Sequence, residues 1–325
     1  MRFAVDQHSK SDIKRAARAI SKGEARLDDE FIIRDWRDSH AHVLNTFQIN
    51  LRDWINKIGI EAVLVQRLKR LTTIKNKLQT SRASHPLNDI AGCRLIFNSI
   101  KDLSEFRAAF MGKCRAKHKL ISQGKYDYIE SPKSTGYRGI HDVYAYAPTK
   151  DSTQQYSGLR VEIQYRTKKQ HAWATAVETA DAIDRTELKF SKNDQDKRLM
   201  LFKLASEYIA RQENRFGCFR EMSQEELESQ IKVFEEETGV INRLRLLGKQ
   251  GVAASGKHLV LTFREDLEVK NFRRSSQAMA YRNEMEVSSP EADTVYVYLD
   301  NPKELESAFR NYFRDAKEFV DLMPI

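Results

Sequence analysis

The run Leu159 to Thr167 alternates with a period of two, which on a strand sends Val161, Ile163 and Tyr165 to one face and Glu162, Gln164 and Arg166 to the other. A carboxylate that only accepts, an amide that donates and accepts, and a guanidinium that only donates make a row able to grip a polar ligand. On a strand face open to water the same row is ordinary surface, so the strand by itself leaves both readings open. A second carboxylate, Asp89, stands just before the apolar run Ile90 to Phe97. Two carboxylates at strand ends among cations are what a magnesium-nucleotide site requires, because Mg²⁺ takes one or two carboxylates plus phosphate oxygens. Taken alone, Asp89 is better explained as a cap or turn residue.

Upstream, Arg67, Lys69 and Lys77 surround Thr72 and Thr73. These cations and hydroxyls suit a triphosphate, and the flat guanidinium of Arg67 suits a base as well as a phosphate. The same set is also an ordinary basic helix face. The segment Tyr128 to His141 is harder to explain blandly. Pro132, Gly136 and Gly139 imply a shaped loop, and within it Lys133, Tyr137, Arg138 and His141 supply two fixed cations, a flat ring and a titratable donor. That combination fits a stacked base with a charged tail.

The elements that must position these groups follow from periodicity. Ser9 to Ile20 and Asp28 to Ile58 have helical spacing, with Ile32, Trp36, Val43, Phe47, Leu51, Trp54 and Ile58 as a buried stripe. Cys93 to Phe97, Val143 to Tyr146 and Leu159 to Thr167 read as strands, giving a mixed α/β domain. Helices are expected over Gln170 to Ile183, Asp194 to Asn214, and from the capping pair Ser223 and Glu226 to about Leu247. Gly248, Gly251, Ser255 and Gly256 form a linker-like stretch. Beyond it, strands at Leu259 to Phe263, Leu267 to Phe272 and Thr294 to Leu299 and helices at Ser276 to Met285 and Lys303 to Leu322 predict a small β-β-α-β-α unit. Its last helix has Asn301 as N-cap and Pro302 in the first turn. The expected division is therefore 1–60 helical, 61–190 core, 191–248 helical extension and 257–325 a small C-terminal domain.

With 325 residues, 41% of them hydrophobic, the chain can bury a core. It has no run of about 18 apolar residues for a membrane span and no secretory signal behind Met1 and Arg2, so a cytoplasmic location without membrane association is expected. The three cysteines, Cys93, Cys114 and Cys218, fit neither a disulfide framework nor a zinc site. A net charge of +9 favours phosphate-bearing partners without separating nucleotides from nucleic acid.

In order and spacing, four segments over about residues 60 to 180 resemble the synthetase domain of the RelA/SpoT family, particularly its small single-chain alarmone synthetases. The Arg67, Lys69, Thr73, Ile74, Lys77 stretch resembles the nucleotide-binding run, and Asp89, Ile90, Ala91, Gly92, Cys93, Arg94 the metal-binding aspartate motif. Tyr128 and Ile129 with Pro132, Lys133, Gly136, Tyr137 and His141 resemble the acceptor loop; Glu162, Ile163, Gln164, Arg166 and Thr167 resemble the catalytic strand, followed by Trp173, Ala174 and Thr175. Thr73 and Thr135 stand where members usually carry Ser and Asn, and Gly139 where many have Ser.

The resemblance implies a nucleotidyltransferase-like mixed sheet flanked by helices. It implies transfer of the β,γ-diphosphate of ATP to a ribose 3′-hydroxyl of a nucleotide such as GDP or GTP, making (p)ppGpp-type alarmones and releasing AMP. Asp89 and Glu162 would hold Mg²⁺, with Glu162 also accepting the hydroxyl proton. Arg67 would stack on adenine, Lys69, Thr73 and Lys77 would hold the ATP phosphates, and Tyr137 would stack on the acceptor base. Lys133, Arg138, His141, Gln164 and Arg166 would support the acceptor. The sole His-Asp pair is His141-Asp142, inside the acceptor loop, so synthesis without hydrolysis is expected. Two alternatives stay open: the same chemistry on the 3′ end of transfer RNA, as in toxin members, and an inactive RNA-binding or regulatory module, against which the intact Asp89 and Glu162 count.

Overall fold

The computed structural model describes residues 8–81, 87–114, 117–122, 124–184, 195–246, 256–263, 267–289, 292–299, 305 and 316–325. Strands β1 (Ala62–Leu68), β2 (Ala91–Phe97), β3 (Lys119–Leu120), β4 (Ile140–Ala145), β5 (Arg160–Thr167), β6 (His258–Phe263), β7 (Leu267–Phe272) and β8 (Asp293–Tyr298) join in one mixed sheet. Its order is β3-β4-β5-β2-β1-β8-β6-β7. β2 and β5 run parallel, Gly92 opposite Glu162 and Arg94 opposite Gln164, so the strand after Asp89 and the strand bearing Glu162 are direct neighbours. The other pairings are antiparallel.

Helix α1 (Lys10–Lys22) begins at a capping box in which Ser9 and Asp12 satisfy each other's backbone amides, and it ends at Gly23 in the left-handed region. The 32-residue α2 (Leu27–Ile58) lies across the sheet. Its Val43, Leu44, Phe47 and Leu51 are buried with Leu64, Leu95, Phe97 and Tyr144 of the strands. On that core also packs α4 (Ile100–Cys114), which follows α3 (Leu71–Ser81) in the chain.

A second apolar cluster binds α5 (Lys168–Asp184), α6 (Lys197–Gln212), α7 (Gln224–Thr238) and α8 (Val240–Leu246). The single helix expected from Ser223 to about Leu247 is two: Gly239 takes φ +61°, which ends α7 and starts α8 at a new angle.

After residue 256 the chain returns to both layers. β8 pairs with β1 at Tyr298 and Gln66, extending the sheet, while Val65 packs with Leu259, Leu261, Val295 and Val297. Helix α9 (Ser275–Ser288) packs on β6 and β8 and meets α2 through a buried ionic cluster, Arg282 with Asp38 and Arg37 with Glu286. A last helix, α10 (Lys317–Leu322), inserts Phe319 and Val320 among α5, α6 and α8, with Phe319 against Phe202. The expected N-cap Asn301 and Pro302, and the linker residues Gly248, Gly251 and Ser255, lie outside the described residues. Among the described residues no helix is long and apolar enough to cross a membrane.

Candidate active site

Arg67, Lys69, Thr73 and Lys77 come from one short stretch of chain. Arg67 stands on β1, not on a helix face, and Lys69 follows the strand with its amide donating to the Ile90 carbonyl at 2.8 Å. α3 then places Thr73 and Lys77 four residues apart, on one face. The result converges on Asp89. Lys69 Nζ donates to Asp89 Oδ2 at 2.6 Å and Lys77 Nζ to the same oxygen at 2.9 Å. The other oxygen, Oδ1, is buried without a hydrogen-bond partner. Burial opposes ionisation of Asp89, and the two ammonium groups override it, holding the carboxyl down at about 2. For Lys69, burial outweighs Asp89 and lowers the ammonium below its usual value.

An open cleft above β1, β2 and β5 is lined by Arg67, Lys69, Asp89, Arg94, Glu162, Gln164 and Glu178. Glu178, and Arg94, which stood in the Asp89 motif without a role of its own, join the expected site residues. Arg94 donates through Nε to Gln164 Oε1 at 3.3 Å, and burial, then the cation of Arg166, lower its pKa. Its signal was available: a charged residue in the otherwise apolar run Ala91–Phe97 needs a polar reason to be there.

The polar row of β5 is closed into a circuit by Tyr137 of the loop before β4 and by His141 of β4. Gln164 Nε2 donates to Glu162 Oε2 at 2.7 Å, and Glu162 Oε1 lies 3.1 Å from His141 Nδ1. His141 Nε2 meets the Tyr137 hydroxyl at 2.6 Å, Arg166 Nε donates to that hydroxyl at 3.1 Å, and Arg166 Nη2 returns to Gln164 Oε1 at 3.3 Å. Burial disfavours the charge on Glu162 and on His141. The partners win in both: His141 lowers the Glu162 pKa, and Tyr137 and Glu162 raise that of His141. Tyr137 is partly buried, which opposes its ionisation, yet Arg166, then His141, bring its phenol down to about 7.

The loop is pressed onto the helical layer at Gly136, which sits at φ +88°. A Cβ there would come 3.2 Å from Lys203 Cα, Ser206 Cβ and Trp173 Cζ2, and Ser206 Oγ donates to the Gly136 carbonyl. Only glycine combines that backbone with that approach. Tyr137 is not a bare platform. Arg166 lies 5.0 Å and Lys133 5.1 Å from its ring centroid, and Tyr128, His141 and Trp173 surround it.

Arg138 is not brought to the cleft. It is buried against Glu213 at 3.0 Å, a carboxylate that also accepts from Gln170 and from the Thr167 hydroxyl, so it ties the loop to the end of α6. Next to His141, Asp142 turns to the opposite face of β4 and takes a bidentate contact from Arg107 at 2.8 and 3.0 Å.

Sheet, helices and cleft define a mixed α/β protein, an eight-stranded mixed sheet flanked by helices, whose site joins two carboxylates to converging cations. Residues 66–182 match the family model described as "Region found in RelA / SpoT proteins". Over 141 residues it is 28% identical to a GTP pyrophosphokinase of Escherichia coli, a match that covers 43% of this chain and 17% of that protein. Over 138 residues it is 24% identical to a guanosine-3′,5′-bis(diphosphate) 3′-pyrophosphohydrolase of Vibrio cholerae, covering 42% of this chain and 18% of that one. The match thus spans less than a fifth of these relatives. Among solved structures, a small alarmone synthetase 1 from Bacillus subtilis bound to its product pppGpp aligns at 23% identity and a TM-score of 0.44, covering 54% of this chain and 90% of that one.

Proposed function

We propose that the protein transfers the β,γ-diphosphate of ATP to the ribose 3′-hydroxyl of a guanine nucleotide such as GDP or GTP. The acceptor oxygen forms a bond to the β-phosphorus, the bridge to the α-phosphate breaks, and AMP departs with that bridging oxygen. One observation carries the reading: Asp89 and Glu162 face a single cleft rich in cations, and Asp89 keeps a buried oxygen with no partner. That orphaned oxygen and the carboxylate of Glu162 fit a divalent cation, whose remaining positions nucleotide oxygens and water would fill. Mg²⁺ held there would neutralise charge on the diphosphate in transfer.

The residues divide the remaining tasks. Lys69, Lys77 and Thr73 bind the ATP phosphates, the two ammonium groups exchanging the Asp89 oxygen for phosphate oxygens, and Arg67 stacks on adenine. Glu162 accepts the proton of the attacking hydroxyl; its depressed pKa keeps it ionised and ready. His141, Gln164 and Arg166 hold that carboxylate and the Tyr137 ring in fixed relation, while Tyr137 and Lys133 receive the acceptor base and its phosphates. Arg138 acts at one remove, by anchoring the loop to Glu213.

The reaction is synthesis without hydrolysis. The test is ATP labelled on its γ-phosphate, incubated separately with GDP, GTP, ADP, ATP and bulk transfer RNA. Label in a guanosine tetra- or pentaphosphate is expected. Label only in transfer RNA would replace the acceptor, and label in none of them would remove the reading.

A further inference from the structure

Distant from the cleft in sequence, α9 reaches Lys69 through one side chain. Arg37 of α2 has no exposed surface. Its two terminal nitrogens donate to the two carboxylate oxygens of Glu286, each at 2.8 Å, across 249 residues of sequence. Its third donor, Nε, points the other way and bonds the carbonyl of Lys69 at 2.7 Å. The Lys69 peptide is therefore tied on both sides, by Arg37 at its carbonyl and by Ile90 at its amide, while its side chain holds Asp89.

A guanidinium is a rigid plane, so a bidentate carboxylate on one edge fixes where Nε can aim. A competing carboxylate is already close: Asp38 Oδ1 lies 3.6 Å from Arg37 Nη1 and accepts from Arg282 at 2.9 Å. With Glu286 gone, a buried cation must find another anion, and turning toward Asp38 draws Nε away from Lys69.

We infer that Glu286 and Arg37 are positioning residues for ATP binding: they fix the Lys69 peptide, and so make the affinity of the cleft for a nucleoside triphosphate depend on the seating of the C-terminal unit. This rests on the reading that Lys69 binds ATP phosphate. The pair touches no substrate.

The experiment uses the full-length chain. Calorimetric titration with a non-hydrolysable ATP analogue and Mg²⁺, acceptor KM in the transfer assay, and melting temperature are measured for wild type, Glu286→Gln, Arg37→Lys and Arg282→Met. Glu286→Gln is expected to bind the analogue roughly tenfold more weakly, the size of one lost hydrogen bond, with acceptor KM within about twofold of wild type. Arg37→Lys keeps the charge and the pairing with Glu286 but cannot also bridge to the Lys69 carbonyl, so it shows the same loss and serves if Glu286→Gln does not fold. Arg282→Met removes the neighbouring ion pair while Asn283 stays on Asp38 and Glu286 keeps both 2.8 Å bonds to Arg37, so it should lower the melting temperature while leaving analogue affinity within about twofold of wild type. The inference is overturned if a folded Glu286→Gln binds the analogue like wild type. It is equally overturned if all three variants lose analogue and acceptor binding together in step with melting temperature. Wild type that binds no analogue sinks the ATP reading, and this inference with it.

Discussion

The two sides of the cleft are built on different principles. On the nucleotide side, two ammonium groups crowd one oxygen of Asp89 and leave the other oxygen unpartnered, an arrangement with unmet bonding capacity. On the acceptor side, Glu162, His141, Tyr137, Arg166 and Gln164 form a closed circuit in which each polar group has its partner. An open cluster invites charged ligands to complete it, whereas a satisfied network holds a fixed shape. The difference predicts that changes on the acceptor side act on catalysis and acceptor selection, while changes on the nucleotide side act on ATP affinity.

The largest effect should come from Glu162→Gln, which keeps shape and removes charge. Turnover is expected to fall by about 10²–10⁴-fold, with circular dichroism unchanged. Activity within a few fold of wild type would retire Glu162 as base and metal ligand.

Tyr137→Ala removes a ring worth roughly 1–3 kcal/mol if a base stacks on it. The expected loss in kcat/KM for the acceptor is therefore about 5- to 150-fold, with binding of the ATP analogue near wild type. Equal weakening of both ligands, alongside a lower melting temperature, would mean the ring serves the core alone.

A chain ending near Gly248 tests whether residues 257–325 form a separable unit. It would remove β8 from the edge of β1, Glu286 from Arg37 and Phe319 from the helical cluster. We expect a less stable protein that keeps some transfer, with ATP affinity lowered by at least about tenfold and acceptor KM little changed. A soluble, folded truncation without activity would make the unit part of the active architecture.

The smallest expected effect is spectroscopic. The phenol of Tyr137 is brought down to about 7, below the ordinary value of about 10. Ionising it therefore favours the folded state: the contribution is complete above about pH 10 and is lost as pH falls through about 7. The ultraviolet absorbance of phenolate should rise across neutral pH in wild type and not in Tyr137→Phe. Superimposable titrations would show that the hydroxyl stays protonated within the circuit.

The local half of this molecule was legible. The alternation of Leu159 to Thr167 fixes which side chains of β5 share a face, Ser9 and Asp12 mark the start of α1, and the glycines of the acceptor loop signal a backbone that other residues resist. What spacing could not supply was direction and distance. Arg138 and Tyr137 are adjacent in a loop that looked uniformly available to a ligand, yet Glu213, 75 residues on, captures the arginine. Gly239 looked like an interior helix residue until its left-handed conformation split the segment. Arg94 passed as one residue of the run Ile90 to Phe97, with nothing nearby in the sequence to explain its charge. Arg37 lay unremarked in the expected helix Asp28 to Ile58, and Glu286 fell one residue past the expected helix end at Met285; only the sheet, by setting β8 beside β1, brings α9 over α2.

That pairing of β8 with β1 also sets an order of events during synthesis. β1 can pair with β2 early, but its other edge and the buried Arg37 wait for partners in residues 286–298. The intervening stretch, on the order of 190 residues, takes roughly 10–40 s to make at about 5–20 residues per second. Throughout that interval a nascent chain displays an unpaired strand edge next to an arginine that lacks its Glu286 partner, and such an edge is a template for wrong pairing. The strand that closes the sheet is thus made long after β1, so the Lys69 side of the cleft is finished only once residues 286–298 have been made.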